Sequence, residues 1–370
     1  KIIESGTHQE LLLKKGTYHE MFTVQAEKFN ETVHENITPV PLNKNKLKLE
    51  IEPFNDFWLD CNSTIIFTLL LSNKDIDKAI IYNNNYEYKR ATELTPQGNN
   101  FYSLVTHTNV DEITKNVLIN TESIRVSDEE NIIDLLISFL NQQKIVLLGI
   151  DMFYGITQNI HWHKNHIMHS IIVFGYDNEK EMFHIMDSGK NGFASFDMPY
   201  EDVIIATRAF PDESYISDMG SELGDLMYTR KDIVTNAKTI IRSIEKINME
   251  NSIWEIKTLC NDDENYFYDI VGTHLFEIKN RQKANKLLFQ IAFCFNPMYN
   301  KMNLETEFEK LEADHGLLKN KFIKLSKTNK LLEKIFELEC ELHELLNREY
   351  ELWKYFIQDN NYEFIIEKQS

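Results

Sequence analysis

The sequence lacks three features that would each indicate a class of protein: closely paired cysteines, a long apolar run and an excess of positive charge. Its four cysteines are scattered over 370 residues, which argues against a disulfide framework and predicts reduced thiols in a cytoplasmic protein. No apolar stretch reaches the roughly 18 residues that a membrane-spanning helix needs. The formal net charge is −19, which argues against nucleic acid or an anionic membrane as the main partner.

The first 29 residues predict a short helical segment. Thr7 and Glu10 form a T-x-x-E capping box before an apolar run, and Gly16 stands where a helix would end. The stretch "IIESGTHQELL" resembles the extreme C-terminal end of an ABC-exporter nucleotide-binding domain. This resemblance implies that 1–29 is the tail of a truncated ABC ATPase domain, that ATP is used only in a missing upstream domain, and that the natural N-terminus precedes Lys1.

Composition divides the rest of the chain into three segments. Residues 30–50 are polar, contain two prolines and end in a lysine-rich stretch, so they predict a linker. Residues 51–212 mix helical and strand patterns and predict an α+β domain. Glycine and proline then become rare, and apolar residues recur at spacings of three and four, so 213–370 predict an all-α domain. Such a helical domain also offers a face for homodimer formation.

Four elements stand out within 51–212. The apolar run after Cys61 predicts a helix that Asn62 or Ser63 can cap. Residues 131–144 have helical spacing, and the β-branched run at 145–153 predicts a buried strand. Residues 169–188 predict two strands around a turn at 177–180.

Three residues of these elements together suggest a catalytic site. Cys61 precedes the predicted helix, and a helix start favours a thiolate, although a buried cysteine is more often inert. Folding the hairpin about its turn places His169 within about one register step of Asp187 or Ser188. A cysteine nucleophile needs a base, and the base needs a group that orients it. The sequence therefore predicts a Cys61–His169–Asp187 triad.

Three stretches carry a family resemblance: "FWLDCNSTIIFTLLL", "VLLGIDMFYG" and "HKNHIMHSIIVFGYDNEKEMFHIMDS". They resemble the N-terminal domain of the butirosin biosynthesis protein H family. The resemblance implies a papain-like cysteine-peptidase fold, and an acyltransferase that moves an acyl group from a carrier-protein thioester to an amine. It makes Cys61 the acylated nucleophile, His169 the base and Asp187 its orienter. Asp60 departs from the histidine that the family commonly has before the cysteine, and a carboxylate there raises the thiol pKa.

Further candidates surround this triad. Asn55 lies six residues before Cys61, where papain-like enzymes place an oxyanion-hole amide. The stretch "HWHKNHIMH" holds four histidines, but no single regular structure aligns all four and no metal motif is present, so no metal site is predicted. Asp151, Tyr154 and His166 are expected at the mouth of the substrate cleft.

Three functions remain open from the sequence. The leading hypothesis is thiol-dependent acyl transfer, with an acyl carrier protein thioester as co-substrate and no other cofactor. The second is a cysteine peptidase that processes an exported peptide, which the ABC-like tail favours. The third is an inactive papain-like appendage of an ABC transporter, which Asp60 beside Cys61 favours. An upstream transporter would hold the chain at the inner face of the membrane.

Overall fold

The computed structural model describes residues 45–72, 78–95, 98–108, 122–126, 131–189, 192–210, 214–219, 229–254, 261–294, 296–298, 301–328, 330–359 and 363–364. The predicted ATPase tail (1–29) and most of the predicted linker (30–50) lie outside the described residues.

Eight α-helices lie in this described part of the chain, and several begin where the sequence supplies a cap. Asn131 caps one of them, since its side chain accepts a hydrogen bond from the Asp134 amide, and a capping box of Thr229 and Asp232 starts another. The helices are α1 (Cys61–Ser72), α2 (Lys78–Tyr82), α3 (Ile132–Asn141), α4 (Tyr200–Arg208), α5 (Arg230–Ile247), α6 (Asn261–Ala292), α7 (Leu304–Lys327) and α8 (Leu331–Gln358). None of these helices is both long enough and apolar enough to cross a membrane.

The described strands form one large antiparallel sheet and two small pairs. The strands are β1 (Lys46–Lys48), β2 (Tyr86–Leu94), β3 (Asn100–Thr108), β4 (Glu122–Arg125), β5 (Ile145–Asp151), β6 (Met168–Asp177), β7 (Met182–Gly189), β8 (Gly192–Pro199), β9 (Tyr215–Met219), β10 (Phe293–Cys294) and β11 (Glu363–Phe364). The seven-stranded sheet has the order β4-β9-β5-β6-β7-β8, and β1 pairs with β6. Strands β2 and β3 form a separate hairpin, and β10 pairs with β11.

Buried apolar side chains of the described residues form three clusters. The largest joins α1, α2 and the β2–β3 hairpin to α5–α8, and these elements are called the helical lobe. The second packs α3 and α4 on one face of the seven-stranded sheet, and these elements are called the sheet lobe. The third holds Ile65 and Leu69 of α1 against Ile172 and Phe174 of β6. Helix α1 therefore packs on both lobes and forms the boundary between them.

A β-bulge interrupts the pairing of β6 with β7 between Val173 and Gly175. A Cβ atom on Gly175 would stand 2.5 Å from the carbonyl oxygen of Leu47 in β1. Because β1 pairs with β6 at this point, only glycine lets the two backbones approach so closely.

This bulge determines on which face of the sheet each side chain in the first half of β6 lies. From Val173 to Gly175, β6 advances by two residues while β7 advances by only one. A register change of one residue moves every following side chain to the opposite face. With that change, His169 of β6 and Asp187 of β7 share a face and their side chains meet.

The seven-stranded sheet extends beyond the predicted 51–212 domain, because it includes β1 (Lys46–Lys48) from the predicted linker and β9 (Tyr215–Met219) from the predicted all-α domain. Within 51–212 the four predicted elements are confirmed in type. Helix α1 follows Cys61, α3 lies within 131–144, β5 lies within 145–153, and β6 and β7 occupy 169–188. The result is a mixed α/β architecture with an antiparallel sheet, and the papain-like assignment stays a prediction. The clusters do not follow chain order, since α1, α2 and the β2–β3 hairpin, from the predicted 51–212 domain, pack with helices from the predicted 213–370 domain.

Candidate active site at the lobe boundary

Helix α1 begins at Cys61, and Asp60 is its cap. The Asp60 carboxylate accepts a hydrogen bond from the Ser63 amide at 2.7 Å and another from the Ser63 hydroxyl at 2.6 Å. The Asp60 carbonyl accepts from the Thr64 amide at 3.1 Å. The prediction that Asn62 or Ser63 caps the helix was therefore wrong. Asp60, the residue directly before the helix, caps it instead, because its carboxylate reaches the unpaired amides of the first turn.

The surroundings of Cys61 keep its thiol protonated rather than ionised. Burial raises the pKa of Cys61, and the carboxylates of Asp187 and Asp60 raise it further because they repel a thiolate. A hydrogen bond with the Ser188 side chain opposes this shift. The helix start alone was expected to favour the thiolate, but the two carboxylates and the burial outweigh it.

His169 and Asp187 form an imidazole–carboxylate pair. Nε2 of His169 lies 3.2 Å from Oδ1 of Asp187, whose side chain is completely buried. The carboxylate also accepts from the Ser188 amide at 2.6 Å and from the Asn159 side chain at 3.4 Å. These bonds hold Asp187 in place, and the contact through Nε2 leaves Nδ1 as the ring nitrogen that can accept a proton.

Asp187 is the group that links the nucleophile to the base. It bonds to His169, its charge acts on Cys61, and the adjacent Ser188 bonds to the Cys61 thiol. Within the described residues no hydrogen bond joins the thiol directly to His169. Catalytic hydrogen bonds are often long without substrate and shorten when the substrate binds. Asp187 thus contacts His169 and lies close enough to Cys61 for its charge to act on the thiol, and the complete Cys61–His169–Asp187 triad stays a prediction.

A second imidazole–carboxylate pair lies on the preceding loop. Nδ1 of His166 is 2.6 Å from Oδ2 of Asp151, which is buried, whereas the His166 side chain is 54% exposed. The other carboxylate oxygen of Asp151 accepts from the amides of Phe153 and Ile167. Asp151 is therefore bonded to His166 and to the backbone. Of these two residues only His166 is exposed and able to contact a substrate.

Ring stacking holds two of the histidines of this loop, His163 and His166. The rings of Trp162 and His163 stack at 4.1 Å, and His166 stacks on Phe153 at 4.2 Å. Tyr154 meets His166 edge-on at 6.0 Å. Among the described residues no group of three or more histidine, cysteine, aspartate or glutamate side chains is arranged to hold a metal ion. The histidine-rich stretch is a stacked aromatic loop beside the sheet.

Asn55, the predicted oxyanion-hole amide, binds the backbone of β8. Its Nδ2 donates to the Phe193 carbonyl at 2.8 Å, and its Oδ1 accepts from the Phe193 amide at 3.1 Å. This double contact ties the segment before α1 to the sheet. Asn55 therefore helps to place α1 and with it the nucleophile.

Two further residues hold the site together: Ser188, which the sequence offered only as an alternative neighbour of His169, and Asn159, which it did not indicate. Ser188 contacts both Cys61 and Asp187, and its place directly after Asp187 was the pattern that pointed to it. Asn159 donates to Asp187 and to the Ser188 carbonyl at 3.1 Å. Nothing in the sequence around Asn159 indicated this, because the contact joins a loop to a strand 28 residues later.

A cleft of about 570 Å³ opens beside α1, between the two lobes. It is lined by Asp60 and Asn62 on either side of Cys61 and by Ser170, which follows His169. Volumes of a few hundred cubic ångströms are typical of small-molecule sites. The cleft is therefore large enough for a small molecule and borders the chain on either side of Cys61, although Cys61, His169 and Asp187 are not among the residues that line it.

No protein-family model matches the sequence, and no curated protein matches it either.

Proposed function

We propose that this chain is a thiol-dependent acyl-transfer enzyme in which Cys61 is the nucleophile, His169 the base and Asp187 its orienter. One observation carries the proposal. The buried Asp187 bonds to His169 at 3.2 Å, and its charge and its neighbour Ser188 both act on the Cys61 thiol. A nucleophile, a base and an orienting carboxylate are the parts that covalent acyl transfer needs.

The raised pKa of Cys61 defines how the first step runs. Because the thiol is protonated in the resting state, its proton moves to His169 as the sulfur attacks the acyl carbon. The new C–S bond forms, the donor's leaving group takes the proton from His169, and an acyl-Cys61 intermediate remains. An amine or water then attacks that intermediate, and the Cys61 thiol is restored.

The substrates follow from the family resemblance. In this proposal the acyl donor is a carrier-protein thioester, the acceptor is an amine, and the fold is the papain-like one. The chain acts in the cytoplasm, held at the membrane when an ABC exporter precedes it. Peptide cleavage in place of acyl transfer is the alternative outcome, and an assay with both a thioester and a peptide substrate distinguishes them.

The test is the detection of the covalent intermediate. The chain is incubated with an acyl thioester such as S-phenyl thioacetate, and the adduct is located by mass spectrometry. We expect acetylation at Cys61 that disappears in Cys61→Ala. Cys340→Ala is the matched control, because Cys340 is an exposed cysteine of the helical lobe, and it should leave the adduct unchanged. An adduct that persists in Cys61→Ala would contradict the proposal.

One observation favours a second candidate, a catalytically silent docking module. Asp60 and Asp187 both raise the pKa of the Cys61 thiol, which is the opposite of what a preformed thiolate needs. This candidate predicts no covalent intermediate with any acyl donor. The same incubation therefore separates the two.

A further inference from the structure

A second cavity, of about 590 Å³, lies in the helical lobe between α6, α7 and the segment before α1, and it is called the α6–α7 pocket. It shares none of its lining residues with the cleft beside α1. Tyr268, Gly272 and Phe276 line it from α6, and their spacing of four residues places them on one stripe of that helix. Its volume is within the range that is typical of small-molecule sites.

Three aromatic rings line the α6–α7 pocket. The rings of Trp58 and Phe276 pack at 5.5 Å with 32° between their planes. Tyr268 lies eight residues before Phe276 on α6, a rise of about 12 Å along the helix axis. Such walls favour a flat aromatic ligand, because ring stacking adds to the gain from burying apolar surface.

Gly272 keeps the space between Tyr268 and Phe276 open. It lies inside α6, so its backbone is helical, and a Cβ atom there would meet no atom of another element within 4 Å. Neither a left-handed backbone nor a close packing contact therefore requires glycine at this position. Glycine in a helix interior is unfavourable relative to alanine, and here its effect is to leave a notch in the pocket wall.

The opposite wall, on α7, supplies two lysines, Lys319 and Lys327. Within the described part of the chain neither of them forms an ion pair, whereas Lys279 of the facing helix pairs with Glu312 at 3.6 Å. Asp269 is the one carboxylate among the residues that line the pocket. On a chain with a net charge of −19, the pocket is thus a local excess of positive charge, which favours an anionic ligand.

We propose that the α6–α7 pocket binds a small molecule that carries a flat aromatic ring and an anionic group, such as an aryl phosphate or an aryl carboxylate. The ring lies in the notch over Gly272, and the anionic group bonds to Lys319 or Lys327. This binding is non-covalent and does not depend on the acyl transfer proposed for Cys61, so each proposal stands or falls by its own test.

The test uses 1-naphthyl phosphate as the probe and isothermal titration calorimetry of the full chain at neutral pH. We expect saturable binding of one probe molecule per chain, weakened by added salt. 1-Naphthylmethylamine has the same ring with a positive charge, and its affinity is measured by displacement of the phosphate. It should bind about tenfold more weakly or worse, because a charge-assisted hydrogen bond is replaced by repulsion.

Two substitutions of Gly272 test where the ring lies. Gly272→Leu fills the notch and should weaken binding of 1-naphthyl phosphate about tenfold or more. Gly272→Ala occupies much less of that space and should have a smaller effect. Both variants replace glycine in a helix and meet no neighbouring element at Cβ, so thermal melting should show both to be folded.

Substitutions of lysine test where the charge lies. Replacing Lys319 and Lys327 together with glutamine should weaken binding of the phosphate about tenfold or more. Lys324→Gln is the matched control, because Lys324 is an exposed lysine of α7 that does not line the pocket. It should leave the affinity within about twofold.

Three results would each overturn the proposal: no saturable binding of 1-naphthyl phosphate, equal affinity for the amine, or unchanged affinity in Gly272→Leu. A loss in Lys324→Gln as large as that in the double lysine variant would also overturn it, since the attraction would then be a property of the whole helix and not of the pocket.

Discussion

Two of the imidazole–carboxylate pairs in the sheet lobe have histidines three residues apart in the sequence, His166 and His169, and these pairs differ in what surrounds the ring. Both carboxylates, Asp187 and Asp151, are completely buried. The His169 side chain is only 17% exposed, and the carboxylate that it bonds to also acts on the Cys61 thiol, whereas His166 is 54% exposed and stacked on Phe153. A buried carboxylate therefore does not by itself make a histidine catalytic. In the proposed mechanism the second ring nitrogen must also reach a nucleophile.

The largest expected effect comes from replacing the two histidines. His169→Gln removes the group that accepts the Cys61 proton, and we expect acetylation of Cys61 to slow by about 10²–10⁴-fold, the usual contribution of a general base. His166→Gln should stay within about twofold, since surface changes away from a site have small effects. The measurement is the rate of adduct formation by mass spectrometry. Equal losses in the two variants would remove the distinction between the pairs.

The next largest difference is expected between variants of the two carboxylates. Asp187→Asn removes the charge that orients and stabilises the His169 cation, so we expect a loss of about 10²-fold or more in the same rate. Asp151→Asn keeps the oxygen that accepts from the Phe153 and Ile167 amides. It should change the free energy of unfolding by only about 1 kcal/mol and leave the rate unaltered. A denaturant titration of both variants checks that neither result reflects unfolding.

The smallest effect concerns Asp60. Asp60→Asn removes one of the charges that raise the pKa of Cys61, and asparagine still caps a helix. Alkylation of Cys61 by iodoacetamide at pH 7.5 should therefore speed up several-fold, while the exposed Cys340 gives an internal reference rate. In the unchanged chain the reaction should rise only above the free-thiol value of about 8.5. A profile centred below that value would contradict the raised pKa.

The same shift has a consequence for stability. Because the folded-state pKa of Cys61 is raised above its unfolded value, the folded chain holds this proton to higher pH. The stability that it contributes is fully present below the unfolded pKa and is lost as pH rises through the folded pKa. As a control, Asp60→Ala loses the cap as well as the charge and should cost about 1 kcal/mol of stability.

Local patterns were sufficient for the elements that carry the triad. The apolar run after Cys61, the β-branched run of β5 and the turn near Asp177 each predicted an element that the structure contains. The hairpin also predicted that His169 and Asp187 are neighbours, and they are. Such features depend on residues close together in the sequence, so periodicity and turn chemistry reveal them.

The contacts of Asn55 and Asn159 could not be predicted in the same way. Asn55 binds a residue 138 positions later, and Asn159 one 28 positions later. Each acquires its place from the docking of one element on another, and no local pattern records that docking.

By itself the sequence determined that helices and strands form at 61–72, 132–141, 145–151 and 168–189, and that Cys61, His169 and Asp187 follow one another in the order cysteine, histidine, acid. Only the tertiary structure decided that the bulge at Gly175 turns His169 towards Asp187, and that burial with Asp60 and Asp187 keeps the thiol neutral. The physical reason is that propensity acts over a few neighbouring residues, whereas register, burial and charge at the site depend on which distant strands and helices pack together.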